Sequence, residues 1–111
     1  MRLMIERNTD PRHNLAREET LLNQASGETV YLWRNRSSVI IGRHQNTLAE
    51  IDEKAVKNHG VTVVRRLTGG GAVFQDLGNI NVSFLFNSEN FEEKAARGCL
   101  MVIAFLASLG V

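Results

Sequence analysis

The chain has 111 residues, 43% of them apolar and 23% charged, a globular balance that argues against a disordered chain. Thirteen basic residues against twelve acidic ones leave a net charge of +1, and aromatics make up 6%, so there is no electrostatic or stacking case for nucleic acid and none for a membrane surface. The single cysteine, Cys99, excludes a disulfide framework or a Cys-rich zinc site within one chain and fits a reducing, cytoplasmic setting.

The length is room for one domain, and a core of that size covers roughly 65% of the unfolded surface. Met1 to Asp10 carries charges inside its short apolar run and lacks the apolar region of a signal peptide. Arg2 to Glu6 reads as a first strand. Asp10-Pro11 reads as a helix start, with Asp near the N-cap and Pro in the first turn. That helix runs to about Gln24, with Leu15, Glu18, Glu19 and Leu22 on related faces, and Ser26-Gly27 ends it. Thr29 to Arg34 is a strand by its β-branched and aromatic content. Asn35 to Ser37 reads as a turn, and Ser38 to Gly42 as the partner strand of a hairpin.

Leu48 to Asn58 has apolar residues at helical spacing, acids early and lysines late, so one helix is expected there, closed by His59-Gly60. Val61 to Arg65 is a strand. Leu67 to Gly71 is a loop, because three consecutive glycines suit neither helix nor strand. Ala72 to Gln75 and Ile80 to Phe86 are strands around the turn Asp76 to Asn79. The last element is a helix from about Phe91 to Leu109, with Phe91, Ala95, Cys99, Val102, Leu106 and Leu109 on one face and Gly110 as the C′ residue. Its most apolar stretch, Leu100 to Leu109, is about half of a bilayer span. Leu100, Met101, Ile103 and Phe105 make its other faces apolar as well. Such a helix wants cover on several sides, and the expectation is that these residues are part of a longer protein.

Chemistry concentrates in Val64 to Asn81 (VRRLTGGGAVFQDLGNIN). Glycines let a backbone approach a ligand closely and present several N–H groups to one anion. A neighbouring arginine adds a permanently charged donor fork suited to phosphate. The segment is neither a Walker loop nor a dinucleotide fingerprint. On the residues alone, a plain turn and a phosphate or nucleotide loop both remain open. Alternation along the strand sends Arg65 and Arg66 to opposite faces, which makes Arg65 the structural or surface one. His13, His44 and His59 lack metal-ligand spacing. Cys99, in an apolar helix with no His at helical spacing, reads as an inert buried thiol.

The run RRLTGGGAVFQDLGNIN closely resembles the signature of lipoate-protein ligases. NLAREE (14–19), LWRN (32–35) and VIIGRHQN (39–46) are similar to further blocks of that family, in the same order, and the resemblance extends from about Asp10 to Val111. It implies an α+β fold with a mixed or antiparallel sheet and flanking helices, of the kind shared with biotin-protein ligases and class II aminoacyl-tRNA synthetases. Residues 1–111 would then be the incomplete, N-terminal portion of one catalytic domain. It further implies activation of lipoate with Mg²⁺ and ATP to lipoyl-adenylate, then transfer to a lysine. The acceptors implied are lipoyl domains of 2-oxoacid dehydrogenase E2 subunits or the glycine cleavage H protein.

By the same resemblance, Arg66 meets the nucleotide and adenylate phosphate. Gly69 and Gly70 permit close approach. Gly71, Ala72, Val73 and Phe74 line the ATP site, and Asn79 and Asn81 steady the loop. Leu15, Glu18, Glu19 and Trp33 match positions at or behind the lipoyl pocket, with ordinary core packing equally open for Leu15 and Trp33. Adjacent Glu18 and Glu19 do not share a helix face, so one is expected solvated and the other bracing a backbone group or an arginine. Gln75 stands where many family members carry His. No lysine here (Lys54, Lys57, Lys94) lies in the context of the family's catalytic lysine, which is expected beyond Val111, so this chain alone is expected to be inactive. Two other readings stay open: an octanoyltransferase of the same superfamily, or a non-catalytic module or half of a split enzyme completed in trans.

Overall fold

The computed structural model describes residues 1–24, 27–86 and 89–111; the helix stop expected at Ser26 lies outside them. Strand β1 (Arg2–Ile5) leads to helix α1 (Pro11–Asn23), and β2 (Thr29–Trp33) and β3 (Ser38–Ile41) follow. Two short helices, α2 (Thr47–Glu50) and α3 (Glu53–Asn58), precede β4 (Thr62–Arg65), β5 (Val73–Gln75) and β6 (Asn81–Leu85). Helix α4 (Phe91–Ser108) comes last. This is the α+β architecture expected, with the strands divided between two mixed sheets of three, ordered β1-β2-β6 and β4-β3-β5.

The two sheets are built alike. In the first, α1 crosses over between parallel β1 and β2, and β6 adds antiparallel to β2. In the second, α2 and α3 cross over between parallel β3 and β4, and β5 adds antiparallel to β3. A hairpin between β2 and β3 was the expectation, and it does not form. The backbone between them pairs elsewhere: Arg36 N–H donates to Thr9 O at 2.8 Å and Thr62 N–H to Ser37 O at 3.1 Å. Those bonds carry the chain from one sheet to the other instead of turning it back.

Helix α1 starts as its sequence dictates. The Asp10 carboxylate accepts from Arg12 N–H at 2.9 Å, and Pro11 needs no donor partner in the first turn. Its packed side is Pro11, Asn14, Leu15, Glu18 and Leu21; Glu19 and Leu22, expected on related faces, are exposed. Leu21, Tyr31 and Trp33 form the core cluster, with Met4, Leu15 and Leu85 packed on it. Each such side chain contributes about 1.5–3 kcal/mol when fully buried.

The single helix expected over Leu48 to Asn58 is two. Ile51 is extended, and the Asp52 carboxylate caps a new start by accepting from Ala55 N–H at 2.9 Å. A good N-cap side chain competes with helix continuation, and here it wins. The stop is as expected, with His59 at the C-cap and Gly60 at φ +61°.

Helix α4 has the expected length and ends at Gly110, φ +81°. Its docked face differs from the expectation. Gly98 is buried against Phe84, where a Cβ would stand 3.0 Å from the ring. The Arg97 guanidinium lies 4.3 Å over the Phe86 ring and holds Glu28 through bonds of 2.6 and 3.0 Å. Lys94, Arg97, Gly98 and Met101 therefore face the first sheet, while Phe91, Val102, Leu106 and Leu109 are exposed. Cys99 is exposed as well, which corrects the buried thiol expected there. Close helix–sheet approach at a glycine decides the face, and apolar periodicity does not report it.

Candidate functional site

Strand β4 ends at the two arginines, and they go separate ways. Arg65 turns back onto the loop after β3. Its Nη1 donates to the carbonyls of Gly42 (2.9 Å), Arg43 (3.2 Å) and Gln45 (2.7 Å), and its Nη2 to Thr47 Oγ1 (2.7 Å). It is a structural residue, as strand alternation predicts. Arg66 turns to the glycines: Nη2 donates to Gly69 O and Gly71 O, both at 2.9 Å, and the loop wraps its guanidinium. Gly70 lies between them at φ +105°, a conformation that favours glycine, and a Cβ there would meet Arg66 Nη2 at 2.7 Å.

Arg66 lines two cavities beside α1, one of them bounded by residues of both sheets. The inner one, about 180 Å³, has apolar walls from Leu15, Trp33, Ile40 and Val82 and polar groups from Glu18, Thr68, Gln75, Asn81 and Ser83. The outer one, about 430 Å³, shares Leu15, Glu18 and Arg66 and adds Arg12, Glu19, Arg43 and Leu67. Together they border Arg66 with one cavity of mixed lining, apolar at Leu15, Trp33, Ile40 and Val82, and one that carries Arg12, Arg43 and Arg65. Trp33 Nε1–H donates to Ser83 Oγ at 3.0 Å, and the Ser83 hydroxyl donates to Glu18 Oε1. Glu18, which the sequence left paired with Glu19, is thus the carboxylate of the inner cavity, and it braces a hydroxyl, not a backbone group or an arginine.

A chain of amides stands behind the cleft. Asn14 Nδ2 donates to Asn35 Oδ1 at 3.0 Å, Asn35 Nδ2 to Gln75 Oε1 at 2.8 Å, and Gln75 Nε2 to Asn81 Oδ1 at 2.9 Å. Asn14 and Asn35 are fully buried. Gln75 is therefore a neutral link between the sheets as well as a cleft residue.

The expected site residues divide accordingly. Arg66, Leu15 and Trp33 meet in the inner cavity, and Gly69 and Gly71 clasp Arg66. Glu19 lines the outer cavity only. Ala72 leads into β5, where Val73 pairs with Ile40. Phe74 points away: it lines a cavity on the other face of that sheet with Val39, Ile51 and Val56. Asn79 closes the turn by accepting from Asp76 N–H at 3.2 Å and is absent from the cleft lining. Ile40, Thr68, Val82 and Ser83 were not singled out from the sequence; alternation along β6 puts Ser83 on the side of Asn81, and no such signal marked Val82. Among the described residues, no group of three or more His, Cys, Asp or Glu side chains could hold a metal ion. The donor set for a protein-built Mg²⁺ site is lacking in them.

The model of the lipoyl protein ligase A/B catalytic domain matches residues 10–111. The chain belongs to that family. Lipoate-protein ligase LplJ of Bacillus subtilis is 53% identical over 78 residues, which cover 68% of this chain and 24% of that protein. The structure of P. falciparum LipL1 in complex with lipoate superposes with a TM-score of 0.76 at 37% identity, over 84% of this chain and 32% of that one. A lipoate-protein ligase A bound with ATP gives 0.76 at 33% identity, over 80% and 38%. A bi-partite lipoate protein ligase described with its E2 lipoyl domain, from Thermoplasma acidophilum, gives 0.74 at 33%, over 81% and 36%. The chain thus spans about a quarter to two fifths of the length of these family members.

Proposed function

We propose that residues 1–111 are the N-terminal part of the catalytic domain of an ATP-dependent lipoate-protein ligase. The observation that carries this reading is the junction at Arg66, where a guanidinium held by a glycine loop borders a cavity walled by Leu15, Trp33 and Ile40. An acyl tail needs apolar walls such as these, and its carboxylate needs to meet a phosphate beside the guanidinium. A carboxylate oxygen of lipoate attacks the α-phosphorus of ATP, the bond to pyrophosphate breaks, and lipoyl-adenylate forms. Arg66 offsets charge at the α-phosphate, and the exposed backbone of Gly69 to Gly71 admits the nucleotide. The ε-amine of an acceptor lysine then attacks the acyl carbon and AMP leaves.

Lys54 and Lys57 are on α3 and Lys94 faces the Phe84 side of α4, so the cleft has no lysine from this chain. We assign the catalytic lysine, the Mg²⁺ ligands and acceptor recognition to residues outside this sequence, with E2 or H-protein lipoyl domains as acceptors and the cytoplasm as the compartment. Among the described residues, no helix is long and apolar enough to cross a membrane. The test is direct binding. The chain is expected to bind ATP and lipoate, Arg66→Ala to lose ATP, and the chain alone to leave an acceptor unmodified. Failure to bind ATP would turn the assignment to the octanoyltransferase reading, which takes its acyl group from a carrier protein.

A second reading has one specific support, the bi-partite Thermoplasma ligase. Completion in trans by a separate polypeptide is then expected. Recovery of ligation on mixing the chain with the remaining part of a family ligase tests it.

A further inference from the structure

The glycine loop is held from two sides. Its carbonyls at Gly69 and Gly71 bond inward to Arg66, and its outward support comes from the loop after β3. Arg43 N–H donates to Thr68 O at 3.0 Å, and Arg66 N–H to Ile41 O at 2.9 Å. Between those two bonds lies Gly42, buried beneath Gly70. A Cβ on Gly42 would be driven into the Gly70 carbonyl oxygen and stand 3.1 Å from Gln45 Oε1. Gly42 has no positive φ, so the requirement for glycine there comes from contact with the neighbouring loop and not from its own backbone conformation.

The supporting loop is itself built to stay put. Gln45 Oε1 accepts from Gly42 N–H at 2.8 Å, and Gln45 N–H donates to Gly42 O at 3.1 Å. Arg65 gathers three of its carbonyls and the Thr47 hydroxyl. Charged donors make the stronger hydrogen bonds, and four from one side chain remove most of the loop's freedom. The Asn46 carboxamide caps the helix that follows, accepting from Leu48 N–H at 3.1 Å. Every polar residue from Gln45 to Thr47 is thus committed to the shape of the segment that Gly70 rests on.

We infer that Gly42 is a positioning residue for nucleotide binding: with Gln45 and Arg65 it forms a fixed platform that sets the height of the Gly70 carbonyl and thereby the approach of the nucleotide phosphates to Arg66. The inference rests on the nucleotide reading above. The platform reaches the inner cavity at Thr68 and Arg66 and not at the Leu15, Trp33 and Val82 walls, so its effect is expected to fall mainly on the nucleotide. A methyl group on Gly42 lifts the loop and leaves the Leu15, Trp33 and Val82 walls in place.

Trp33, the only tryptophan, lines the inner cavity and supplies a separate readout for it. The experiment titrates the full chain and its Gly42→Ala and Gln45→Ala variants with ATP by calorimetry, and with lipoate by Trp33 fluorescence. Gly42→Ala is expected to weaken ATP at least about tenfold while the lipoate midpoint stays within about twofold. Gln45→Ala, which removes only the acceptor for Gly42 N–H, is expected to weaken ATP by about three- to tenfold with lipoate unchanged. It decides the matter if Gly42→Ala does not fold. Unchanged ATP binding in the folded variants overturns the platform, and so does equal weakening of ATP and lipoate, which is what general destabilisation produces. A wild-type chain that binds lipoate and no ATP overturns the nucleotide reading first and the platform with it.

Discussion

Asn35 Nδ2 donates to Gln75 Oε1 at 2.8 Å, and this bond joins the end of β2 in one sheet to β5 in the other. Asn35 is fully buried, so its amide has no recourse to solvent. Gln75 passes the pairing on to Asn81 through two bonds, 2.9 Å from its Nε2 and 3.2 Å to its Oε1. The back of the cleft is therefore a closed amide network, and its members depend on one another.

Replacement of Gln75 by Leu leaves Asn35 and Asn81 each short of a partner. The expected cost is about 1–3 kcal/mol, the range for stranding a buried polar group. Chemical denaturation of the variant checks this. A midpoint equal to that of the parent would mean that the amides find other partners.

Gln75→His introduces a titration. The ring must accept from Asn35 through one nitrogen and donate to Asn81 through the other, so only the neutral form fits both. Its folded-state pKa is therefore expected below the unfolded value of about 6.5. The stability it contributes is present above that value and lost as pH falls through the folded pKa. Denaturation midpoints of parent and variant should run together above neutrality and diverge at about pH 5–6, with the variant the weaker. Parallel curves down to that pH would contradict the geometry.

Tyr31 is buried in the core beside Trp33, with ring centroids 6.0 Å apart, and its hydroxyl has no hydrogen-bond partner among the described residues. Burial, reinforced by the Glu6 charge, pushes the phenol up to about 12. Tyr31→Phe keeps the packing and removes an unsatisfied group, so it is expected to leave stability unchanged or raise it by up to about 1 kcal/mol. A loss of more than that, seen in thermal or urea unfolding, would reveal a partner for the hydroxyl.

The adjacent arginines should separate stability from binding. Arg65→Ala removes four bonds from the supporting loop and is expected to cost about 1–2 kcal/mol. Arg66→Ala is expected to cost less than about 1 kcal/mol and to weaken ATP at least about tenfold. Unfolding and calorimetry on both variants test the division. It fails if the stability losses are equal.

Glu28 anchors α4 through Arg97, whose hydrogen bonds hold the Glu28 carboxyl below the usual carboxylate range. A lowered folded pKa contributes stability above the unfolded value that is lost as pH falls through the folded one. Acidification should therefore loosen α4 in the parent, and Glu28→Gln should remove that part of the pH dependence. Hydrogen exchange along α4 as a function of pH reads the effect.

Much of this protein was written locally. The Asp10-Pro11 start, the stops at Gly60 and Gly110, the β4 run and the glycine loop each follow from the stereochemistry of a few neighbouring residues, and the structure has them where the chain order puts them. The motif also marked Arg66, Leu15 and Trp33, which the fold brings to one cavity. Pairing between distant strands was a different matter. β2 and β3 are adjacent in sequence and look like a hairpin, yet the bonds from Arg36 to Thr9 and from Thr62 to Ser37 send them to separate sheets. The choice of Glu18 over Glu19 depended on Ser83, 65 positions away. Phe74 left the cleft because β5 alternates, and the docked face of α4 was set by the absence of a side chain at Gly98. Local conformation is decided by steric and hydrogen-bonding terms within a few residues; partners, faces and depth are decided by contacts between segments that only the folded chain brings together.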